Sequence, residues 1–253
     1  MEQTGHVYNN DFYAYISGGS RLSADQIVPL LRDEVRMQSV LDMGAGNGAW
    51  LASWIDAGVA DALAVDGAYV DTTRLAIPRE NFRAHDLTQP LDLARRFDLV
   101  QSLEVAEHIA PESAEIFVDS LCRHGDVVLF SAAVPHQGGE FHVNEQPLEY
   151  WRKKFAARGY DCFDWLRPQI AGNRQIKPWY RFNVALYANE AGQERLGNKA
   201  RAARLAAETP LIAGGDLAWK ARRAGVALLP KRGAHAIARA KSAIEARANG
   251  RKS

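Results

Sequence analysis

Val40-Leu41-Asp42-Met43-Gly44-Ala45-Gly46-Asn47-Gly48-Ala49-Trp50 runs from an apolar strand through three alternating glycines into an apolar helix. Gly44, Gly46 and Gly48 let the backbone turn tightly and admit a ligand where a Cβ would stand in the way. The flanking periodicity agrees with a strand–loop–helix unit. Helical spacing over residues 24–36 aligns Ile27, Leu30, Leu31 and Val35, and residues 50–57 read as a helix stopped by Gly58. Short apolar strands are expected at 39–43, 62–65, 81–84, 97–102 and 126–133, with helices at 111–121 and 147–158. Two later strands, 161–166 and 183–188, lack a full helix between them, which predicts an edge hairpin. A long loop separates them and carries Asn173, Trp179 and Tyr180. Residues 8–20 read as aromatic and polar, then turn-like, and not as a core strand. The expected fold is α/β: a doubly wound, mostly parallel, seven-stranded sheet covered on both faces.

The chain has 253 residues, 47% hydrophobic and 24% charged, which suits one large globular domain with an appendage. No run approaches the roughly 20 apolar residues needed to span a bilayer. The polar start shows no secretory signal, and Cys122 and Cys162 form no CxxC pattern. A disulfide framework is therefore not expected, and a reducing cytoplasm is. The net charge of +1 hides an asymmetry: residues 190–253 carry 14 Lys+Arg against 5 Asp+Glu, and residues 1–189 carry 17 against 25. The expected division is a domain over 1–189 and a basic, Ala/Arg-rich helical extension over 190–253. Such an extension suits an anionic surface or nucleic acid, or packs on the acidic body.

Asp66 ends the strand that follows the glycine loop, and Asp86 ends the next. In a doubly wound sheet all three features lie at the carboxyl edge, where nucleotide-like ligands bind and a carboxylate can take ribose hydroxyls. Dinucleotide sites share this logic, but their fingerprint is GxGxxG. Here Asp42 precedes GxGxG, and a leading carboxylate repels a pyrophosphate. It suits S-adenosylmethionine, which carries a sulfonium, an ammonium and an adenosine but no phosphate.

With LDMGAGNG, AVDG, HDL and FDLVQSLEVAEHI in this order, the sequence resembles the class I S-adenosylmethionine-dependent methyltransferases over about residues 8–189. That resemblance implies a Rossmann-like fold in which Gly44, Gly46 and Gly48 line the methionine part. It implies that Asp66 holds the ribose, Gly67 passes beneath it, Asp86 and Leu87 flank the adenine, and Ser102 sits beside the cofactor.

Beyond strand four, Glu104, Glu107 and His108 fall at i, i+3 and i+4, on one face if the chain turns helical there. A second set, His136, Glu140, His142, Asn144 and Glu145, follows strand five. The two strands are neighbours in this topology, so both sets meet at one edge. Two readings stand: a hydrogen-bonded structural cluster, or a divalent-metal site. ExxEH followed by HxxE resembles the metal-dependent small-RNA 2′-O-methyltransferases, and ExxEH alone resembles the quinone O-methyltransferases. The first resemblance implies Glu104, Glu107, His108 and His142 as ligands of Mg²⁺ or Mn²⁺. Without a metal, His142 or His108 would be the base, with Glu145 beside them. The longer stretches YNNDFYAYISGGS, SAAVPHQGGEFHVNEQPLEYWRKKFAARGY and RPQIAGNRQIKPWYRFNVALYA resemble a bacterial subgroup associated with glycan and natural-product clusters. That subgroup commonly has tryptophan at the place of Ala171 and ends near Ala188.

Tyr13 and Tyr15 are candidates for a lid over the cofactor, or for a packed arm. Trp179 and Tyr180 are candidates for the acceptor pocket, and Trp151 reads as core. Arg167 either binds an anionic acceptor group or pairs with an acid of the body. Ser131 lacks a nucleophile's partners, and Cys122 is expected to be buried on a helix. The leading expectation is O-methylation of a hydroxylated small molecule or glycan. The alternatives are an RNA-ribose methyltransferase using the basic extension, and a non-catalytic scaffold.

Overall fold

The computed structural model describes residues 10–228, with side chains from residue 18 onward. Seven strands form one sheet: β1 (Ser39–Met43), β2 (Asp61–Asp66), β3 (Phe82–Ala84), β4 (Leu99–Leu103), β5 (Val127–Ser131), β6 (Asp161–Phe163) and β7 (Ala185–Ala188). Their order is β3-β2-β1-β4-β5-β7-β6. β1 to β5 are parallel, and β7 runs antiparallel to both β5 and β6. The strand order reverses between β1 and β4, the point at which such sheets take ligands in a crevice beyond the strands' carboxyl ends.

Helices α1 (Asn10–Glu34), α2 (Ala49–Asp56), α3 (Ala114–His124) and α4 (Leu148–Ala156) flank the sheet. Alternate strand residues feed two cores, as the two-residue repeat of a strand requires. Val40, Leu99, Val127, Leu129 and Leu186 pack with α1 and α2 on one face. Leu41, Val100, Val128, Phe130 and Tyr187 pack with α3 and α4 on the other. Trp54 and Trp151 are fully buried, one in each layer.

Two local expectations are corrected. The turn-like reading of residues 8–20 fails from Asn10 onward, because α1 already covers them; Tyr8 and Asn9 lie outside the described residues. Glycine inside a helix costs about 1 kcal/mol against alanine, but here tertiary contact overrides propensity. A Cβ on Gly19 would stand 2.3 Å from Lys177 Cε, and Ser23 Oγ accepts from Lys177 N at 3.1 Å. The long loop before β7 holds two short helices, α5 (Leu166–Ile170) and α6 (Pro178–Asn183). Tyr180 is accordingly core: it packs edge-on to Trp50 at 5.1 Å, and its hydroxyl pairs with Ser20 Oγ at 3.0 Å. The expected edge hairpin is present: β7 and β6 pair antiparallel at one end of the sheet, with β6 outermost.

Residues 190–228 form three separate helices, α7 (Glu190–Gln193), α8 (Asn198–Ala202) and α9 (Leu217–Ala227). Leu196, Ala200, Leu211 and Trp219 are buried, and Leu196 makes a bridge with Val35. Among the described residues no helix is long and apolar enough to cross a membrane.

Candidate functional site

The crevice begins where β1 ends. Gly44 has φ 87°, in the left-handed region, and a Cβ there would lie 2.3 Å from Val105 Cγ2. Glycine is thus required twice, by backbone handedness and by the approach of the loop after β4. The loop is tied to β2 by Gly44 N donating to Val65 O at 2.8 Å, and by Gly46 N donating to Asp66 Oδ2 at 2.6 Å. Asp66 Oδ1 accepts from Gly67 N and from the Tyr69 hydroxyl, each at 2.6 Å. Burial raises the Asp66 carboxyl above its ordinary value, against the pull of those three donors.

Asp42 lies under the same loop, buried, with Oδ2 lacking a hydrogen-bond partner. Burial pushes its pKa up to about 7; Gln101 opposes the shift and Asp66 adds to it. An orphaned buried acceptor beside a second acid favours a ligand that brings hydrogen-bond donors and positive charge, and disfavours a pyrophosphate. These residues fit the sulfonium-bearing nucleoside expected from the sequence.

The other expected cofactor residues are placed as follows. Ser102 is buried on β4 with an unpartnered Oγ. Leu87 is buried, but Asp86 is exposed and its Oδ1 accepts from Thr88 N and Oγ1. Tyr13 and Tyr15 lie within α1, and their side chains lie outside the described ones.

At the end of β4 the expected helical face over 104–108 is corrected. Glu104 is left-handed at φ 58°, and a short 3-10 turn, Ala106–His108, follows. Glu104 N is held by Ser131 O at 3.0 Å, so Ser131 anchors the strand end. The Glu104 carboxylate turns toward Gln137 Nε2 at 2.6 Å and Asn183 Nδ2 at 3.4 Å. Gln137 Oε1 in turn accepts from Asn183 at 2.8 Å. Burial raises the Glu104 pKa despite these donors. Gln137 and Asn183 were not singled out from the sequence; no motif marks them, because they meet Glu104 from distant parts of the chain.

Glu107, His108 and His142 do converge, with one ligand atom each within 4.8 Å of the others. The two imidazoles meet edge-on at 4.9 Å. Val143 N and Asn144 N donate to Glu107 O at 2.9 and 3.0 Å, which draws the loop after β5 onto the 3-10 turn. Burial and the neighbouring Glu104 carboxylate raise the Glu107 pKa well above its ordinary value, and Oε2 lacks a partner. A buried, proton-hungry acid beside two imidazoles suits a divalent cation, whose charge would relieve that penalty. Burial, then His142, depresses His108 to about 3, so it is a neutral imidazole and a poor base. His142 Nδ1 lies 2.8 Å from Glu145 Oε1, and Nε2 lies 4.0 Å from Glu107 Oε1. Burial opposes ionisation of Glu145, but the hydrogen bond from His142 and those from Gly138 N and His136 N hold its pKa below the ordinary value. His136 and Glu140 supply no ligand atom to the convergent group.

Of the remaining candidates, Arg167 is bidentate to Asp164 at 2.6 Å for both bonds, which is the internal pairing. Trp151 is core, Trp179 is half-buried beside Tyr180, and Cys122 is half-buried on α3.

Solved structures share this fold. KedS8, a sugar N-methyltransferase from Streptoalloteichus sp., superimposes with a TM-score of 0.54 at 17% identity, over 75% of this chain and 95% of that one. A candidate O-methyltransferase from Nostoc punctiforme gives 0.52 at 14%, over 69% of this chain and 58% of that one. DesVI from Streptomyces venezuelae gives 0.43 at 21%, over 55% of this chain and 62% of its own length. The chain therefore spans less than two thirds of the last two proteins. The first two likenesses show the fold. Against curated proteins the chain has no significant match. Residues 10–164 match the methyltransferase domain family, over more than half of the sequence, and the chain belongs to that family.

Proposed function

We propose that the chain transfers a methyl group from S-adenosylmethionine to a hydroxyl of a small polar acceptor or glycan. The observation that carries this reading is the position of Glu107, His108 and His142 at the end of β4, across the sheet's switch point from the glycine crevice. When bound, the cofactor supplies an electrophilic methyl on a sulfonium.

The chain's residues do the rest. Asp66 and the glycine loop hold and orient the nucleoside end. Asp42, buried with an unpartnered Oδ2, is an acceptor for a cationic group. Burial at the end of β4 keeps water from competing with the acceptor. Glu107, His108 and His142 form a donor set for a divalent ion that would fix an acceptor hydroxyl and lower its pKa. With Glu104 turned to Gln137 and Asn183, that set holds two imidazoles and one carboxylate, which suits Mn²⁺ better than oxygen-preferring Mg²⁺. If no ion binds, His142 is the base. Its Nδ1–H donates to Glu145, which leaves Nε2 to take the proton.

The glycan and natural-product subgroup resemblance supports a sugar-like acceptor. The RNA-ribose alternative leans on the basic extension, but described arginines there serve the body: Arg195 pairs with Asp98 and Arg204 with Asp161, each at 2.8 Å. Calorimetric titration with S-adenosylhomocysteine, with and without Mn²⁺ or Mg²⁺, tests the proposal. Micromolar or tighter binding supports it, and no binding under either condition sinks it. Binding without metal dependence favours His142 as base.

A further inference from the structure

The segment between β5 and α4 carries His142 and Glu145, and its backbone is bent hard. His136 and Phe141 are left-handed at φ 66° and 59°, with Gly138 between them at 67°. Non-glycine residues persist in that region only where their surroundings over-determine the conformation. Part of that determination is local: Glu145 accepts from His136 N and Gly138 N at 2.9 and 2.8 Å.

The rest comes from α9, far along the chain. Arg223 donates from Nε and Nη2 to Pro135 O at 3.2 and 2.9 Å, and Arg222 donates from Nη1 to Gln137 O. Those two carbonyls bracket His136. Gly138 comes so near α9 that a Cβ would lie 3.3 Å from Val226 Cγ1. The helix is itself anchored. Trp219 is buried against Phe182, with ring centroids 6.2 Å apart. Asp216 caps it at Trp219 N, 2.8 Å away, and lies 3.5 Å from Arg181. Phe182 adjoins Asn183, the partner of Gln137. The bent segment is therefore gripped between α9 and α6.

We propose that α9 is a clamp for the acceptor side of the site, with Arg222 and Arg223 as positioning residues that set the turn presenting His142. The positive charge of Arg222 and Arg223 is turned inward, onto two backbone carbonyls. Whether the clamp matters for turnover rests on the methyl-transfer reading; its hold on the loop does not.

The test compares R222A/R223A and R222K/R223K with the unaltered full-length chain. Two readouts are needed: the His142 Cε1–Hε1 resonance, assigned with H142Q, and calorimetric affinity for S-adenosylhomocysteine. The alanine pair should move or broaden the His142 resonance, the lysine pair should restore part of the shift, and cofactor-product affinity should stay unchanged. If the alanine pair fails to fold, the single variants R222A and R223A, each keeping one staple, give the same reading with smaller shifts. An unmoved resonance in folded protein overturns the clamp, and so does a shift matched by an equal loss of affinity. Failure of the unaltered chain to bind S-adenosylhomocysteine would sink the methyl-transfer reading and leave the clamp standing.

Discussion

His142 Nδ1 sits 2.8 Å from Glu145 Oε1, which turns the opposite ring nitrogen toward Glu107. An ionised carboxylate only accepts, so Nδ1 carries the proton and Nε2 is left without one, as the proposed ligand or base requires. Removing an orienting carboxylate of this kind typically costs 10–100-fold in metal affinity. E145Q should therefore weaken Mn²⁺ binding by about that factor, read by calorimetry, with S-adenosylhomocysteine affinity unchanged. Equal Mn²⁺ affinity in E145Q would remove Glu145 from the site.

Glu104 and Glu107 should respond differently. Glu104 is engaged by Gln137 and Asn183, whereas Glu107 is grouped with both imidazoles. E107Q is expected to abolish Mn²⁺ binding and E104Q to preserve it. Loss in both variants would show that Glu104 swings back to join the donor set.

The nucleoside end is tested at Asp66. Hydrogen bonds to a charged group contribute about 1.5–3 kcal/mol each, or roughly ten- to hundredfold in affinity. D66A should lose S-adenosylhomocysteine affinity by that order, and D66N, which keeps one acceptor, by less. Unchanged affinity in D66A would place the nucleoside elsewhere.

Asp42 makes stability depend on pH with a sign opposite to that of a salt-bridged acid. Burial raises its folded pKa to about 7, while an unfolded aspartate titrates at about 3.9. Between those values the folded protein holds a proton that the unfolded chain has released, so this contribution falls as pH rises. Urea denaturation from pH 4.5 to 7.5 should show that decline, flattened in D42N. Ionised Asp42 also suits an ammonium group, which S-adenosylhomocysteine keeps after losing the sulfonium, so its affinity should climb through about pH 7 in the unaltered chain and not in D42N. Parallel pH profiles for the two proteins would contradict both statements.

Gly44 separates backbone strain from crowding. Left-handed backbone costs a non-glycine residue about 1–2 kcal/mol, and overpacking costs about 1–3 kcal/mol more. G44A should lower the denaturation midpoint through both effects, and V105A in the same chain should recover only the crowding part. Full recovery would mean that the positive φ costs nothing.

The sheet, the glycine crevice and Asp66 were readable along the chain because each is written locally. Strand alternation, positive-φ glycines and a strand-ending acid need only near neighbours to take effect. The departures share a cause. Gly19 sits inside α1 with the Lys177 side chain packed against it. Tyr180 is core because Trp50 and Ser20 receive it. Glu104 leaves the expected ExxEH face because Gln137 and Asn183, 33 and 79 residues away, capture its carboxylate.

From residue order alone came the seven strands, the crevice at their carboxyl ends, and the chemical types gathered beside it. Which carboxylate faces the two histidines, and that α9 grips the turn presenting one of them, arose only on folding. Both depend on side chains brought together across the sheet, where burial makes a hydrogen-bond partner worth more than local spacing.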